Sequence, residues 1–281
     1  MITSIIFSKD RPAQLALMLE SARRNLPDFF DLCVLYTGST LEYQNGYDKL
    51  VHELDDSRQV SFVKQGDFKL DLESLLSDDR ELACMFTDDD IVYRKCDFTL
   101  KECVDLMSEL PLCCVSLRLG YNTIIQDPYA GTYTAIPRDM PNVDYFEREK
   151  AYIWNWSHVP EYLNFGYPMS VDGHIFSRDE ILKIISSLDY TNPNQLEAGM
   201  TMHKGSMPPA MVCFHESKVV NTPINLVGSS ENKAGHIFGE SLEEMNNKFL
   251  DGYHIDMDKM DFSSVIGCHQ EIELKWTTGT E

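Results

Sequence analysis

Leu82-Ala83-Cys84-Met85-Phe86-Thr87-Asp88-Asp89-Asp90 decides how the chain is read. Its first five residues form a short apolar block, the pattern of a strand buried on both faces of a parallel sheet. Three consecutive carboxylates then follow at the strand's carboxyl end, where open α/β sheets place their ligands. Strand alternation would point Asp88 and Asp90 the same way, and three adjacent anions call for a compensating cation. Their oxygens suit Mg²⁺ or Mn²⁺, which bind through one or two carboxylates together with substrate phosphates. The plainer reading of the triplet is an acidic turn capping whatever comes next.

Upstream, the chain alternates strand and helix. Ile2 to Phe7 is a mainly apolar run, interrupted by Thr3 and Ser4. Asp10 offers an N-cap, Pro12 a first turn, and Leu15, Met18, Leu19 and Ala22 the apolar face of a helix. Arg23 and Arg24 fall in its last turn, and Pro27 stops it. Leu32 to Tyr36 and Val60 to Val63 read as further strands, with a helix over Leu70 to Leu76. Downstream, Cys103, Val104 and Met107 form a helix face, and Leu112 to Leu117 a fifth strand. This alternation predicts an α/β fold with a mostly parallel sheet, right-handed crossovers and helices on both faces.

After about residue 120 the pattern changes. Tyr121 to Pro141 is rich in turn formers, and Tyr145 to Tyr167 concentrates aromatics, including Trp154 and Trp156, as a substrate-shaping insertion would. Met169 to Phe176 reads as a strand, Ser177-Arg178-Asp179-Glu180 as a capping box opening a helix, and Pro208 to Phe214 as a late strand. A helix around Ser241 to Leu250 and an acidic tail close the chain. The organisation expected is one domain over 1–225 with a C-terminal helical extension, 226–281, packed on it.

Composition removes several functions. With 24 Lys+Arg against 45 Asp+Glu the formal charge is −21, and scattered cations on such a chain disfavour a nucleic-acid partner. No segment approaches the roughly 20 apolar residues of a membrane span, and the N-terminus lacks the features of a signal peptide, so a cytoplasmic protein is expected. Among the eight cysteines, Cys33, Cys84, Cys113, Cys114 and Cys213 sit in apolar runs, and Cys96, Cys103 and Cys268 form no CxxC pair. That spacing speaks against a zinc cluster or a disulfide framework.

The strand ending in Ser8-Lys9-Asp10-Arg11-Pro12, the helix after it and the strand ending in Asp88-Asp89-Asp90 together resemble the nucleotide-sugar-dependent glycosyltransferases of the GT-A fold, and are most similar to the broad family 2 group. Val115-Ser116-Leu117-Arg118-Leu119-Gly120, Val171-Asp172-Gly173-His174-Ile175-Phe176 and Asn192-Pro193-Asn194-Gln195-Leu196-Glu197 fall in the order in which such enzymes place acceptor-side elements. The likeness covers about residues 1–225. It implies a Rossmann-like GT-A fold and metal-dependent transfer, with inversion, from a nucleotide-sugar donor to a glycan or other hydroxyl acceptor, assisted by Mn²⁺ or Mg²⁺. Ser8, Asp10 and Arg11 would flank the base and ribose, Asp88 with Asp89 would contact ribose or water, and Asp90 with Asp88 would hold the metal.

The remaining candidates are open between two roles. Arg118 reaches a diphosphate or forms a surface ion pair, and Lys9 and Arg94 are weaker cations of that kind. Inverting transfer needs a carboxylate base; Glu197 is the first choice and Asp172 the second, with Gly173 leaving room for an acceptor. The resembling enzymes usually carry an adjacent Glu-Asp pair, from which Asn-Gln-Leu-Glu departs. His215 completes a metal shell or is a structural histidine. Trp154 and Trp156 form a sugar platform or belong to the core. A sugar-nucleotide nucleotidyltransferase would use similar fold logic, but the glycine-rich phosphate loop expected of it is missing, there being no glycine before Tyr36. A non-catalytic carbohydrate-binding module on a degenerate transferase fold is the alternative from another class.

Overall fold

The computed structural model describes residues 1–54, 60–127, 131–134, 140, 143–146, 150–228 and 233–278. The chain opens β1 (Ile2–Lys9), α1 (Pro12–Asn25), β2 (Phe30–Thr37), α2 (Leu41–Glu53), β3 (Val60–Lys64), α3 (Phe68–Leu75), β4 (Leu82–Thr87), β5 (Asp90–Val92), α4 (Leu100–Glu109) and β6 (Leu112–Ser116). It continues through β7 (Ile125–Asp127), β8 (Thr132–Tyr133), β9 (Asp144–Phe146), β10 (Ala151–Asn155), β11 (His174–Ser177), α5 (Arg178–Ser186), α6 (Pro193–His203), β12 (Ala210–Phe214) and β13 (Val219–Asn221). Last come α7 (Leu242–Leu250), β14 (Tyr253–Ile255) and β15 (Trp276–Thr278).

The main sheet has nine strands among the described residues, in the order β3-β2-β1-β4-β11-β6-β12-β10-β9. β1, β2, β3 and β4 run parallel, as do β6 and β12, while β11 lies antiparallel between β4 and β6. This is the mostly parallel, helix-flanked α/β architecture expected. Alternation along β1 explains its two layers. Ile2 and Ile6 enter the core beside α1, α2 and α7, whereas Ile5 and Phe7 enter the core on the opposite face, with Phe68 and Ile181. All eight cysteines are buried thiols. Among the described residues no helix is long and apolar enough to cross a membrane.

Local chemistry departs from expectation at four places. Asp10 does not cap α1; it adopts φ 58°, and its Oδ1 accepts from the Ser39 amide at 2.6 Å, leaving Arg11 as an N-cap without a side-chain bond. Ser177 begins α5 but makes no capping bond, whereas Thr99 with Glu102 and Ser241 with Glu244 complete capping boxes. The strand expected over Met169 to Phe176 is confined to β11, because Gly173 takes φ 71° immediately before it. Finally, the aromatic stretch expected as an insertion supplies β9 and β10, which extend the sheet beyond β12. The segment expected as a C-terminal extension brings α7 against α1 and α2, and β14 against α1.

Candidate active site

β4 ends at Thr87, and Asp88 and Asp89 turn the chain into β5. The turn overrides strand alternation, so the three carboxylates part company. Asp88 Oδ2 accepts from Ser8 Oγ at 2.8 Å and the Lys9 amide at 3.2 Å, while its Oδ1 takes Arg11 Nη1 at 2.9 Å. Asp89 Oδ2 accepts from the same Nη1 at 2.9 Å, and its Oδ1 accepts from Thr87 Oγ1 at 2.7 Å and Asn221 Nδ2 at 2.9 Å. Asp90, 0% exposed, turns inward to the Thr87 amide at 2.9 Å and Asn221 Nδ2 at 3.2 Å. Burial pushes Asp88 up to about 6 against the pull of Arg11. Asp89 is pushed up by burial too, but Arg11, Thr87 and Asn221 together hold it below the usual carboxylate range. Burial, then Asp172 and Asp89, hold Asp90 well above that range. Arg11 is anchored on its far side by Asn225, whose Oδ1 accepts from Nε at 2.9 Å.

A second group assembles from β6, the approach to β11, and α6. Arg118, just past β6, donates from Nη1 to Asp172 Oδ2 at 2.8 Å and from Nη2 to Asn164 Oδ1 at 3.1 Å. Its ion pair is buried and not at the surface. Asp172 Oδ1 accepts from Thr87 Oγ1 at 3.3 Å, which joins this group to the carboxylate turn. Asn192 caps α6, and Glu197 on that helix accepts the Val171 amide through Oε1 at 3.3 Å. Burial and the neighbouring Asp172 charge raise Glu197 to about 7, despite Arg118. His269 reaches in from the C-terminal segment; burial and Arg118 push its pKa down to about 4.

Asp90 apart, these side chains line one cavity of about 820 Å³ at the carboxyl ends of β1, β4 and β6, within the range of small-molecule sites. Of the expected residues, Ser8, Lys9, Arg11, Asp88, Asp89, Arg118, Asp172 and Glu197 share it. Others lie elsewhere. Asp10 is spent on the Ser39 amide, and Gly173 faces Phe86 and Val219 inside the molecule. Trp154, 2% exposed, donates to the Phe165 carbonyl, and Trp156, 6% exposed, to the Pro208 carbonyl, so both indoles are core and form no platform on the cavity. His215 Nδ1 shares a hydrogen bond with Tyr152 Oη at 3.0 Å, and the residue lines a separate cavity of about 340 Å³, away from the carboxylate turn. Arg94 does not line the main cavity either; it pairs with Glu216 at 3.6 Å. Sequence reasoning missed Asn164, Asn221, Asn225 and His269. Their residue types carry no local signal, and only folding brings them to the cavity.

The donor types around the turn suit a hard divalent cation, but their arrangement does not. Arg11 occupies the space between Asp88 and Asp89, Asp90 points away from the cavity, and among the described residues no three His, Cys, Asp or Glu side chains converge as a metal site. The Asp88–Asp90 pair expected from alternation is therefore not presented, because the Asp88–Asp89 turn rotates the two apart.

No protein-family model and no curated protein matches the chain. Solved structures do match. A fragment of S. aureus TarS, residues 1–349, aligns at 13% identity and a TM-score of 0.45 over 78% of this chain, which spans 59% of that fragment. UTP-bound UGPase from Acinetobacter baumannii aligns at 11% identity and a TM-score of 0.38, covering 79% of this chain and 88% of that one. Mouse xyloside xylosyltransferase 1, apo form, aligns at 11% identity and a TM-score of 0.33, covering 73% and 82%.

Proposed function

We propose that the chain binds a nucleotide-sugar donor and transfers the sugar, with inversion, to a hydroxyl of a glycan or other acceptor. One observation carries the reading: a carboxyl raised to about 7, Glu197, lines the same carboxyl-end cavity as the Ser8, Arg11, Asp88 and Asp89 group. A base poised near neutral pH is what removal of a hydroxyl proton requires. Glu197 takes the acceptor proton as the acceptor oxygen bonds to the anomeric carbon and the bond to the diphosphate breaks. Lys9, Arg11, Arg118 and Lys233 are cavity cations that can face the charge developing on the departing phosphate. Asp172, held by Arg118 and Thr87, is suited to accept a hydrogen bond from a sugar hydroxyl. No step of this scheme passes through a divalent cation.

The test is a thermal-shift screen of UDP-, GDP-, dTDP- and CMP-sugars, each with EDTA and with MnCl₂, since a ligand at 100 times its Kd stabilises the folded state by about 2.7 kcal/mol. A stabilising donor is then incubated with acceptor pools. Release of the nucleoside diphosphate, or of CMP from a CMP-sugar, with a new glycoside supports the reading. Formation of pyrophosphate from a nucleoside triphosphate and a sugar phosphate would make the chain a nucleotidyltransferase instead.

A further inference from the structure

The C-terminal segment reaches the cavity by backbone pairing. The Asn221 amide donates to the Cys268 carbonyl at 2.8 Å, the Gln270 amide to the Asn221 carbonyl at 2.9 Å, and the Ile125 amide to the Ile266 carbonyl at 3.0 Å. His269 is thereby held between Arg118 and Asn221, its Nε2 3.2 Å from Arg118 Nη2 and its Nδ1 3.2 Å from Asn221 Oδ1. A guanidinium can only donate, so Nε2 must accept. The proton of a neutral ring then sits on Nδ1, which donates to Asn221 Oδ1. With its oxygen so committed, Asn221 can present only Nδ2 to Asp89 Oδ1, at 2.9 Å, and Asp90 Oδ1, at 3.2 Å. Every donor along Arg118, His269, Asn221 and the two aspartates points the same way.

We infer that His269 is a positioning residue, held as the neutral Nδ1–H tautomer, which locks the Asn221 amide and so sets the Asp89–Asp90 turn relative to the Arg118–Asp172 pair. Its effect on the reaction rests on the donor reading of the cavity; its tautomer does not. Without the imidazole, the Asn221 amide is free to rotate and turn its oxygen toward two carboxylates, and Arg118 Nη2 loses an acceptor in a buried setting. The arrangement also leaves Nε2 no free lone pair for a metal ion.

Nitrogen-15 NMR of the full chain at pH 7, with His269 assigned by the loss of its signals in His269→Gln, decides the tautomer. A protonated Nδ1 beside an unprotonated Nε2 is expected. A ring protonated at Nε2, or broadening of its resonances by substoichiometric MnCl₂ alone, overturns the inference. Titration with UDP and with GDP adds the functional arm. Glutamine can accept from Arg118 and donate to Asn221, so His269→Gln should keep nucleotide affinity within about threefold, while His269→Leu, which fills space without either bond, should weaken it about tenfold. Equal losses in the two variants would reduce His269 to bulk and overturn the positioning role. If neither nucleotide binds the wild-type chain, the donor reading fails, and the tautomer measurement still decides the relay.

Discussion

Glu197 and Asp172 are close neighbours in one cavity, and the company of each separates their roles. Asp172 is spoken for by Arg118 and Thr87, whereas Glu197 accepts from the Val171 amide and from Ser170 and is still raised to about 7 by burial and by Asp172. If Glu197 is the base, Glu197→Gln lowers kcat by about 10²–10⁴-fold with little change in donor affinity, and wild-type kcat/KM rises with pH through about 7 as the carboxyl ionises. A larger kcat loss in Asp172→Asn would move the base to Asp172. The stability sign is opposite. A carboxyl whose folded pKa lies above the ordinary 4.5 favours the folded state at low pH and loses that share as pH rises toward 7, so Glu197→Gln gains stability relative to wild type over that interval in urea titrations. Arg11 tests the turn. It is paired with both Asp88 and Asp89, so Arg11→Ala strands two buried anions and should cost about 3–5 kcal/mol by chemical denaturation. EDTA should leave the thermal midpoint of the nucleotide-free wild type unchanged, because a guanidinium already compensates the carboxylates; a fall of several degrees would show that a bound metal does so. Ser8, Arg11 and Asp88 were legible as residues because they flank strand ends. Asn221 and His269 were not, since an asparagine and a histidine far from the motif differ in nothing from ordinary surface residues until the backbone pairs them.

At the scale of elements, the short, mainly apolar blocks of β1, β2, β4 and β6 could be read directly, because a strand buried on both faces is filled mostly by apolar residues. α2 could not. Its buried face is only Gly46, Tyr47 and Leu50, too sparse for helical periodicity to stand out. β11 was placed but its direction was not, since no residue of His174–Ser177 encodes antiparallel pairing with both β4 and β6. Gly173 is what makes that insertion possible: at φ 71° it turns Asp172 toward Arg118 just before the strand begins, and an added Cβ would lie 3.4 Å from Phe86 and Val219. Gly173→Ala should therefore cost about 1–2 kcal/mol for the left-handed backbone alone, measured as a lowered denaturation midpoint. The tryptophans separate packing from recognition at this scale. Trp154 stands on β10 against Phe165, so Trp154→Ala should cost about 3–5 kcal/mol, with nucleotide affinity unchanged in whatever fraction remains folded. Selective loss of acceptor binding without loss of stability would restore the platform role.

Across the whole molecule, the boundary expected near residue 225 coincides with no break in the core. Ile224 on one side and Met245, Phe249, Ile255, Met257, Met260, Val265, Ile272 and Leu274 on the other belong to the same buried cluster as Ile2, Leu15, Met18 and Tyr47. Polar contacts cross it as well: Asn225 Nδ2 donates to the Glu240 carbonyl, Asn246 donates to the Glu42 carbonyl, and Lys49 donates to the carbonyls closing α7. Composition concealed this, because an acidic, loosely patterned segment resembles a solvated tail even when one residue in several is a buried anchor. The carboxylate of Glu271 shows how such a segment is tied down, accepting the amides of His236, Ile237 and Phe238 at 2.7–2.8 Å. A chain ended after Asn225 would expose the faces of α1 and α2 that α7 covers, leave Arg118 without its histidine, and lose several fully buried apolar side chains, each contributing about 1.5–3 kcal/mol. Against a net stability of about 5–15 kcal/mol, that loss exceeds what the remaining sheet can absorb. The shortened chain should therefore lack a cooperative thermal transition and near-ultraviolet circular dichroism. A cooperative transition that still responds to nucleotide would establish residues 1–225 as an independent unit and reduce the C-terminal segment to an accessory.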